Sequence, residues 1–345
     1  MRAAVLTAKQ SIQTIDQPTT TLSETGVRIR IGAGGICGSD LHYFHHYKMG
    51  DFPVREAFIL GHEAAGIVEE IGPRVNDVAV GDTVVINPSH PCQSCEYCLK
   101  GNELLCNEMR FLGSSRKFPH IQGMFSEIFV TEQRQCFKMP RGLSLNIATF
   151  AEPLAVALHA INQAGSLLGA NILISGSGPI GALVLLSAKL AGALSITMTD
   201  IRDGPLTVVN ELGANKTLNV SFGASKLIEE ANPRGSFDIA FDASGSETAV
   251  LTAIKSLRPG GSLIQIGTFA EPNISIPSDQ LMAKELTMKS SFRFDKEFSW
   301  AVDYLAKGRI DVMPLLTHTF PMEDANEAFL TASDREKAMK VHLTF

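Results

Sequence analysis

No run of basic residues occurs anywhere in the 345-residue chain, and Lys plus Arg number 30 against 36 Asp plus Glu, a net charge of −6. A polyanion needs clustered cations to bind, so nucleic acid is excluded as a partner. No apolar stretch can span a bilayer comfortably: the longest helix-like one, from Ile180 to Leu194, is interrupted by Lys189, which argues against a membrane partner. The opening Met1-Arg2-Ala3-Ala4-Val5-Leu6 turns polar by Lys9 and lacks the apolar core of a secretory leader, so the cytoplasm is the expected location. Nothing repeats at a fixed period and no segment is of low complexity, which excludes solenoids and arrays. Cysteine is scarce, six in all, and without export signals six thiols read as free or metal-ligating rather than as a disulfide framework.

What is present is a globular composition, 45% hydrophobic and 19% charged, in a chain long enough for two domains. To about residue 145 short β-rich segments, such as Val27–Ile31 and Thr83–Ile86, are separated by Gly, Pro and Asp, the grammar of an irregular β domain. Near residue 150 strands begin to alternate with helix-length segments, which predicts βαβ units and a doubly wound parallel sheet. Its strands are expected at Asn171–Ser175, Ser195–Thr199, Lys216–Asn219, Asp238–Asp242, Ser262–Gly267 and Leu286–Ser290. The fold class is therefore α/β with a second, mostly β domain. The expected division is 1–150 for the β domain and 151–292 for the parallel sheet, with 293–345 completing the first.

The first of those strands runs into Gly176-Ser177-Gly178-Pro179-Ile180-Gly181, a G-x-G-x-x-G in the required strand–turn–helix setting. Gly176 would make the tight turn, Gly178 would let the backbone approach a pyrophosphate, and Gly181 would let helix and strand pack closely. Pro179 and Ile180 open the helix whose N-terminus would face the phosphates. Asp200, 19 residues beyond Gly181, would accept from the ribose hydroxyls and favour NAD, while Arg202 keeps NADP possible. Gly267, at the end of the fifth expected strand, is a further cofactor-side candidate. A glycine-rich turn with a helix-capping Asp is the plain structural reading.

Two cysteine patterns differ in kind. Cys92, Cys95, Cys98 and Cys106 lie within fifteen residues, a spacing that can wrap one tetrahedral zinc and leaves no open position, hence a structural site. Unrelated buried thiols, or a redox Cys-x-x-Cys pair, are the alternatives. The second pattern is dispersed: Cys37-Gly38-Ser39-Asp40-Leu41-His42, then Gly61-His62-Glu63, then Ala151-Glu152-Pro153. Each is weak alone, and His62-Glu63 lacks the second His of the helical metalloprotease motif.

Taken in order, Gly-Gly-Ile-Cys-Gly-Ser-Asp-x-His, Gly-His-Glu, the four-cysteine lobe, Ala-Glu-Pro and the glycine fingerprint make the chain resemble the zinc-containing medium-chain dehydrogenases over essentially its full length. The resemblance implies a GroES-like catalytic domain beside a Rossmann domain, two zincs per chain and NAD. Glu152 stands where simple alcohol dehydrogenases carry a third zinc-binding Cys, which is similar to the sorbitol and polyol branch. Blocks such as Asn87-Pro88-Ser89, Met109-Arg110-Phe111, Phe118-Pro119-His120 and Ser291-Phe292-Arg293-Phe294 are most similar to those of L-idonate 5-dehydrogenases, which take that sugar acid to 5-keto-D-gluconate.

The resemblance further implies a catalytic zinc on Cys37 and His62 with Glu63 or Glu152 approaching it, Ser39 and His42 as a proton path, and Asp40 fixing the ring of His62. It puts Arg293 and Phe292 between coenzyme and substrate, and Tyr43 and Phe111 at the substrate pocket or, equally, in the core. A substrate carboxylate calls for a cation, for which Arg110 and Arg293 are the candidates. The partner is a small polyol or aldonate, and related enzymes are homodimers or homotetramers. The rivals are a sorbitol, xylitol or threonine dehydrogenase on the same machinery, and a non-catalytic nucleotide-binding protein on the same fold.

Overall fold

Alternation governs the first 150 residues. In the strand Gly26–Gly35, Val27, Ile29 and Ile31 are buried while Arg28 and Arg30 reach outward, because successive side chains of a strand point to opposite faces. The computed structural model describes residues 1–224, 227, 234–271 and 273–345. It resolves into two compact units: Met1–Glu152 with Phe298–Asp334 and Lys340–Phe345, and Pro153–Glu297 with Arg335–Met339.

The first unit is built on a seven-stranded sheet in the order Cys136–Met139, Thr83–Ile86, Glu63–Ile71, Gly26–Gly35, Lys340–Thr344, Leu316–Pro321, with Ile128–Glu132 also paired to Gly26–Gly35. Val27, Ile29, Ile31, Ala64, Val68, Val84 and Ile86 form its core. The C-terminal strand is antiparallel to Gly26–Gly35, His342 facing Gly35, and the strand Glu63–Ile71 places Glu63 opposite the same glycine. Three distant stretches of sequence thus meet at Gly35.

The second unit holds a six-stranded, all-parallel sheet in the order Lys216–Asn219, Ser195–Asp200, Asn171–Ser175, Phe237–Asp242, Leu257–Gln265, Thr287–Ser290. Ile172, Leu173 and Ile174 are each 0% exposed, as expected of a parallel strand covered on both faces. The order reverses between Asn171–Ser175 and Phe237–Asp242, which makes that point the crevice where ligands of open α/β sheets bind. The fifth strand begins at Leu257 and not at the expected Ser262, because Leu257 pairs with Phe237 ahead of a register shift. No helix among the described residues is long and apolar enough to cross a membrane.

Candidate metal and dinucleotide sites

Cys37 caps the helix Gly38–His46. Its amide donates to Asp40 Oδ2 at 3.0 Å, so the acid three residues on satisfies the donor that the helix start leaves over. Ser39 and His42 fall on one face of that helix, three residues apart, with His42 at the exposed end. His62 sits in the bend just ahead of the strand Glu63–Ile71 and follows Gly61, whose φ of +96° and position against Phe125, 2.3 Å from any added Cβ, admit glycine only. The strand register then brings one ligand atom each of Cys37, His62 and Glu63 within 4.8 Å of one another.

His62 is 5% exposed and Asp40 is 0% exposed. Asp40 Oδ1 lies 3.5 Å from His62 Nδ1, and Ser39 Oγ lies 3.5 Å from His62 Nε2. Burial opposes protonation of the ring, but the adjacent Asp40 and Cys37 outweigh it and raise the imidazole pKa well above its ordinary value. A site that favours positive charge so strongly, on a Cys–His–Glu donor set, suits a cation.

Glu63 is also fully buried, and its Oε1 has no hydrogen-bond partner among the described residues. Its Oε2 forms an ion pair with the Nζ of Lys340, itself 3% exposed. A Cβ on Gly35 would lie 2.2 Å from Glu63 Oε2 and 3.0 Å from Lys340 Cε, so only glycine leaves room for the pair. Burial works to deprotonate Lys340, yet Glu63, Cys37 and Glu152 together raise its pKa. The orphaned carboxylate oxygen beside Cys37 and His62 is what a metal ion would satisfy. Glu152, 4% exposed at the start of the helix Ala151–Ala164, acts electrostatically on Lys340 but is not among the three clustered ligand atoms. Lys340→Met should cost about 3–5 kcal/mol, because it strands a buried carboxylate. Chemical denaturation checks this, and a loss under about 1 kcal/mol would mean that Glu63 does not depend on the pair.

Around the cluster, the Phe111 ring lies 5.5 Å from that of His62. Arg110, beside it on the short strand paired to Ser89–His90, is exposed. Tyr43 is different: it is 3% exposed, stacks edge-on to Phe58 and accepts from the Ser115 amide at 3.0 Å, so its hydroxyl is occupied in the core.

The four-cysteine lobe brings Cys92, Cys95, Cys98 and Cys106 within the same 4.8 Å limit. The Sγ of Cys98 lies 3.6 Å from that of Cys95 and 4.0 Å from that of Cys92. A tetrahedron with metal–sulfur bonds of about 2.3 Å has edges of about 3.8 Å, so the spacing fits a zinc and is far too long for disulfides. Backbone amides already point at the sulfurs, Cys92 N to Cys106 at 3.2 Å and Cys95 N to Cys92 at 3.3 Å. The Cys92 thiol is pulled down to about 6, first by the backbone of Ser94, then by its hydroxyl and the Cys95 amide, which favours the thiolate a metal needs.

In the second unit, Gly176 turns at φ +93°, and a Cβ on Gly181 would meet the Gly176 carbonyl oxygen at 1.9 Å. Beside Gly178 nothing lies within 4 Å of an added Cβ, leaving the backbone open where it caps the helix Pro179–Leu190, which Pro179 and Ile180 begin. Gly267 packs against Gly245, whose amide nitrogen would lie 2.2 Å from an added Cβ. Asp200 ends its strand with Oδ2 accepting from the Ser177 amide at 2.7 Å and Oδ1 accepting from the Arg202 amide at 3.0 Å. The tie to Ser177 fastens Asp200 to the glycine turn, a link that spacing does not reveal. Arg293 stands at φ +52° with its guanidinium 4.9 Å over Phe292. Lys340 was also missed by motif reading, since nothing in the local sequence marks a C-terminal lysine as a partner for Glu63.

Comparison with known proteins follows this geometry. Residues 23–141 match the alcohol dehydrogenase GroES-like domain, and residues 179–307 match the zinc-binding dehydrogenase model. The chain is 38% identical over 344 residues to the L-idonate 5-dehydrogenase (NAD(P)(+)) of Escherichia coli strain K12, covering 100% of this chain and 98% of that protein. The crystal structure of the E. coli L-idonate 5-dehydrogenase superposes with a TM-score of 0.94 at 38% identity, covering 100% and 98% of the two chains. A sorbitol dehydrogenase of Arabidopsis thaliana is 34% identical over 322 residues, 91% of this chain and 87% of that protein. With both family models matched in order, a full-length relative and a metal-ligand cluster in each expected place, the chain belongs to the zinc-binding dehydrogenase family, with a GroES-like domain and a Rossmann domain.

Proposed function

We propose that this chain oxidises the C5 hydroxyl of L-idonate to the ketone, giving 5-keto-D-gluconate, with NAD as the preferred acceptor and NADP possible. The observation that carries this is the Cys37–His62–Glu63 cluster, its His and Glu buried and its Cys partly so, in a chain alike over its whole length to an L-idonate 5-dehydrogenase. The chemistry supplied by the bound groups is Lewis-acid polarisation of the alcohol oxygen by zinc and hydride uptake by the nicotinamide.

The protein's own residues do the rest. Cys37, His62 and Glu63 would hold the catalytic zinc, with Glu152 next to them. Asp40 keeps the His62 ring oriented through Nδ1, leaving Nε2 for the metal. Ser39, its Oγ beside that same nitrogen, would take the hydroxyl proton while giving up its own toward His42, which lies one turn on, is exposed and passes a proton to water. Phe111 walls the pocket against His62. Arg110 and Arg293 are the cations offered to the carboxylate, whereas Tyr43 supports the pocket from the core. Cys92, Cys95, Cys98 and Cys106 would hold the structural zinc. Gly176, Gly178 and Gly181, with Pro179 and Ile180, form the pyrophosphate turn; Gly267 and Arg202 belong to the same coenzyme face. Residues 1–150 with 293–345 are read as the catalytic domain, and 151–292 as the coenzyme domain. A homodimer or homotetramer is part of this reading, and sedimentation of a monomer would remove it; the cytoplasm is part of it as well, in keeping with six cysteines that are not paired as disulfides.

Asp200→Ala should raise the NADP-to-NAD ratio of kcat/KM by about tenfold or more, since it removes the charge that repels a 2′-phosphate. The ratio is the test because loss of the bond to Ser177 weakens both coenzymes alike; an unchanged ratio would end that role for Asp200. The function itself is tested on metal-replete protein with L-idonate, sorbitol, xylitol and L-threonine, each with both dinucleotides. Preferred turnover of L-idonate is the expected result. Better use of the uncharged polyols would move the assignment to the sorbitol side of the family.

A further inference from the structure

Glu297 opens the helix Glu297–Ala306 and is 1% exposed. Its Oε1 accepts from Asn162 Nδ2 at 2.8 Å and lies 3.2 Å from His159 Nδ1. Its Oε2 accepts from the Asp295 amide at 3.0 Å. Burial works against ionisation, yet the bonds from His159, the Asp295 amide and Asn162 hold the carboxyl down to about 2, so the group stays charged and strongly bound. A buried carboxylate is retained only when its acceptor sites are used. Here one oxygen holds the helix Ala151–Ala164, through residues three apart on one face, and the other holds the backbone of the segment 291–296.

That segment carries Phe292 and Arg293. It is fastened at its start by the Ser291 amide, which donates to the Gln265 carbonyl at 2.8 Å. The strand leading into it is fastened by Lys289 Nζ, which donates to the Gln163 carbonyl at 2.9 Å on the same helix. Between these ties Arg293 holds φ +52°, a conformation that a residue with a Cβ keeps only where its surroundings enforce it. Glu297 supplies the tie at Asp295, and its loss would loosen the hold on the left-handed backbone at Arg293 and let the guanidinium shift.

We infer that Glu297 is the positioning residue for Arg293: by binding the Asp295 amide to His159 and Asn162, it holds segment 291–296 in the conformation that presents the guanidinium to an anionic substrate and the coenzyme. The inference rests on the reading of Arg293 as a cation that faces those ligands. No other role of Glu297 in the reaction is invoked.

The test is a double-mutant cycle on metal-loaded protein with Arg293→Met, Glu297→Gln and the two combined. It reads kcat and KM for the best-used substrate, and NADH affinity from quenching of Trp300, the only tryptophan in the chain. Glu297→Gln should lower kcat/KM about tenfold, mainly through KM, and the double variant should be no worse than Arg293→Met alone, since coupled residues are not additive. Asn162→Leu, which leaves the carboxylate in place and removes one donor, should give a smaller loss with the same non-additivity; it stands in if Glu297→Gln does not fold. Independent losses that multiply with an impaired Arg293→Met would make Glu297 a purely structural residue and overturn the inference while leaving Arg293 its role. A Glu297→Gln protein with wild-type constants would overturn it as well. Wild-type behaviour of Arg293→Met would instead remove the reading of Arg293, and the inference with it.

Discussion

Cys37→Ser is expected to lower kcat by about a thousandfold, equivalent to about 4 kcal/mol of lost transition-state stabilisation, because the thiolate is the softest donor of the catalytic cluster. Serine keeps the size of the side chain but offers a neutral hydroxyl with little affinity for zinc. His62 would keep Asp40 at Nδ1, and Glu63 would keep its ion pair with Lys340, so the fold should survive. The four sulfurs of Cys92, Cys95, Cys98 and Cys106 form a separate group, so metal analysis should fall from two zincs per chain to one. Retention of both metals together with full activity would show that Cys37 is not a ligand.

Cys95→Ser should act in the opposite sense, on stability first. Cys95 donates its backbone amide to Cys92 Sγ and sets its own sulfur 3.6 Å from Cys98, so it takes part in both the metal shell and the hydrogen bonds that order it. The lobe has little core of its own: Leu99 is 75% exposed and Leu105 is 54% exposed. Where apolar burial is this small, a structural zinc supplies the folding free energy directly. A loss of about 3 kcal/mol or more is expected, which lowers the melting midpoint of a domain of this size by roughly 6–12 °C. Calorimetry and metal analysis should find one zinc missing, and it should be the one that Cys37→Ser retains. If both variants lost the same equivalent, the assignment of two independent sites would collapse.

Much of this was legible in the residues themselves. The glycine turn reads well because much of its chemistry is local: Gly176 turns at positive φ, Gly178 leaves the backbone open, and an added Cβ on Gly181 would strike the Gly176 carbonyl, between a strand and a helix that the sequence also marks. The four cysteines read well for the same reason. The dispersed site was legible only as an order of short motifs, since Cys37 and His62 carry no local sign that they meet. It left open which glutamate stands with them, and the register of Gly35 against Glu63 places Glu63 in the cluster. Tyr43 shows the converse: its place in the motif is compatible with pocket or core, and the bond from Ser115 to its hydroxyl puts it in the core.

By itself the sequence determined the α/β class, the glycine turn, the thiolate lobe and the residue types that could bind a metal, because periodicity, turn stereochemistry and ligand spacing act over a few residues. Only the tertiary structure decided that Lys340 neutralises Glu63 across Gly35, and that Glu297 ties Asp295 to His159 and Asn162. Such pairs are set by strand register and helix packing between segments far apart in the chain, where the energy of a buried charge depends on which partner the fold delivers.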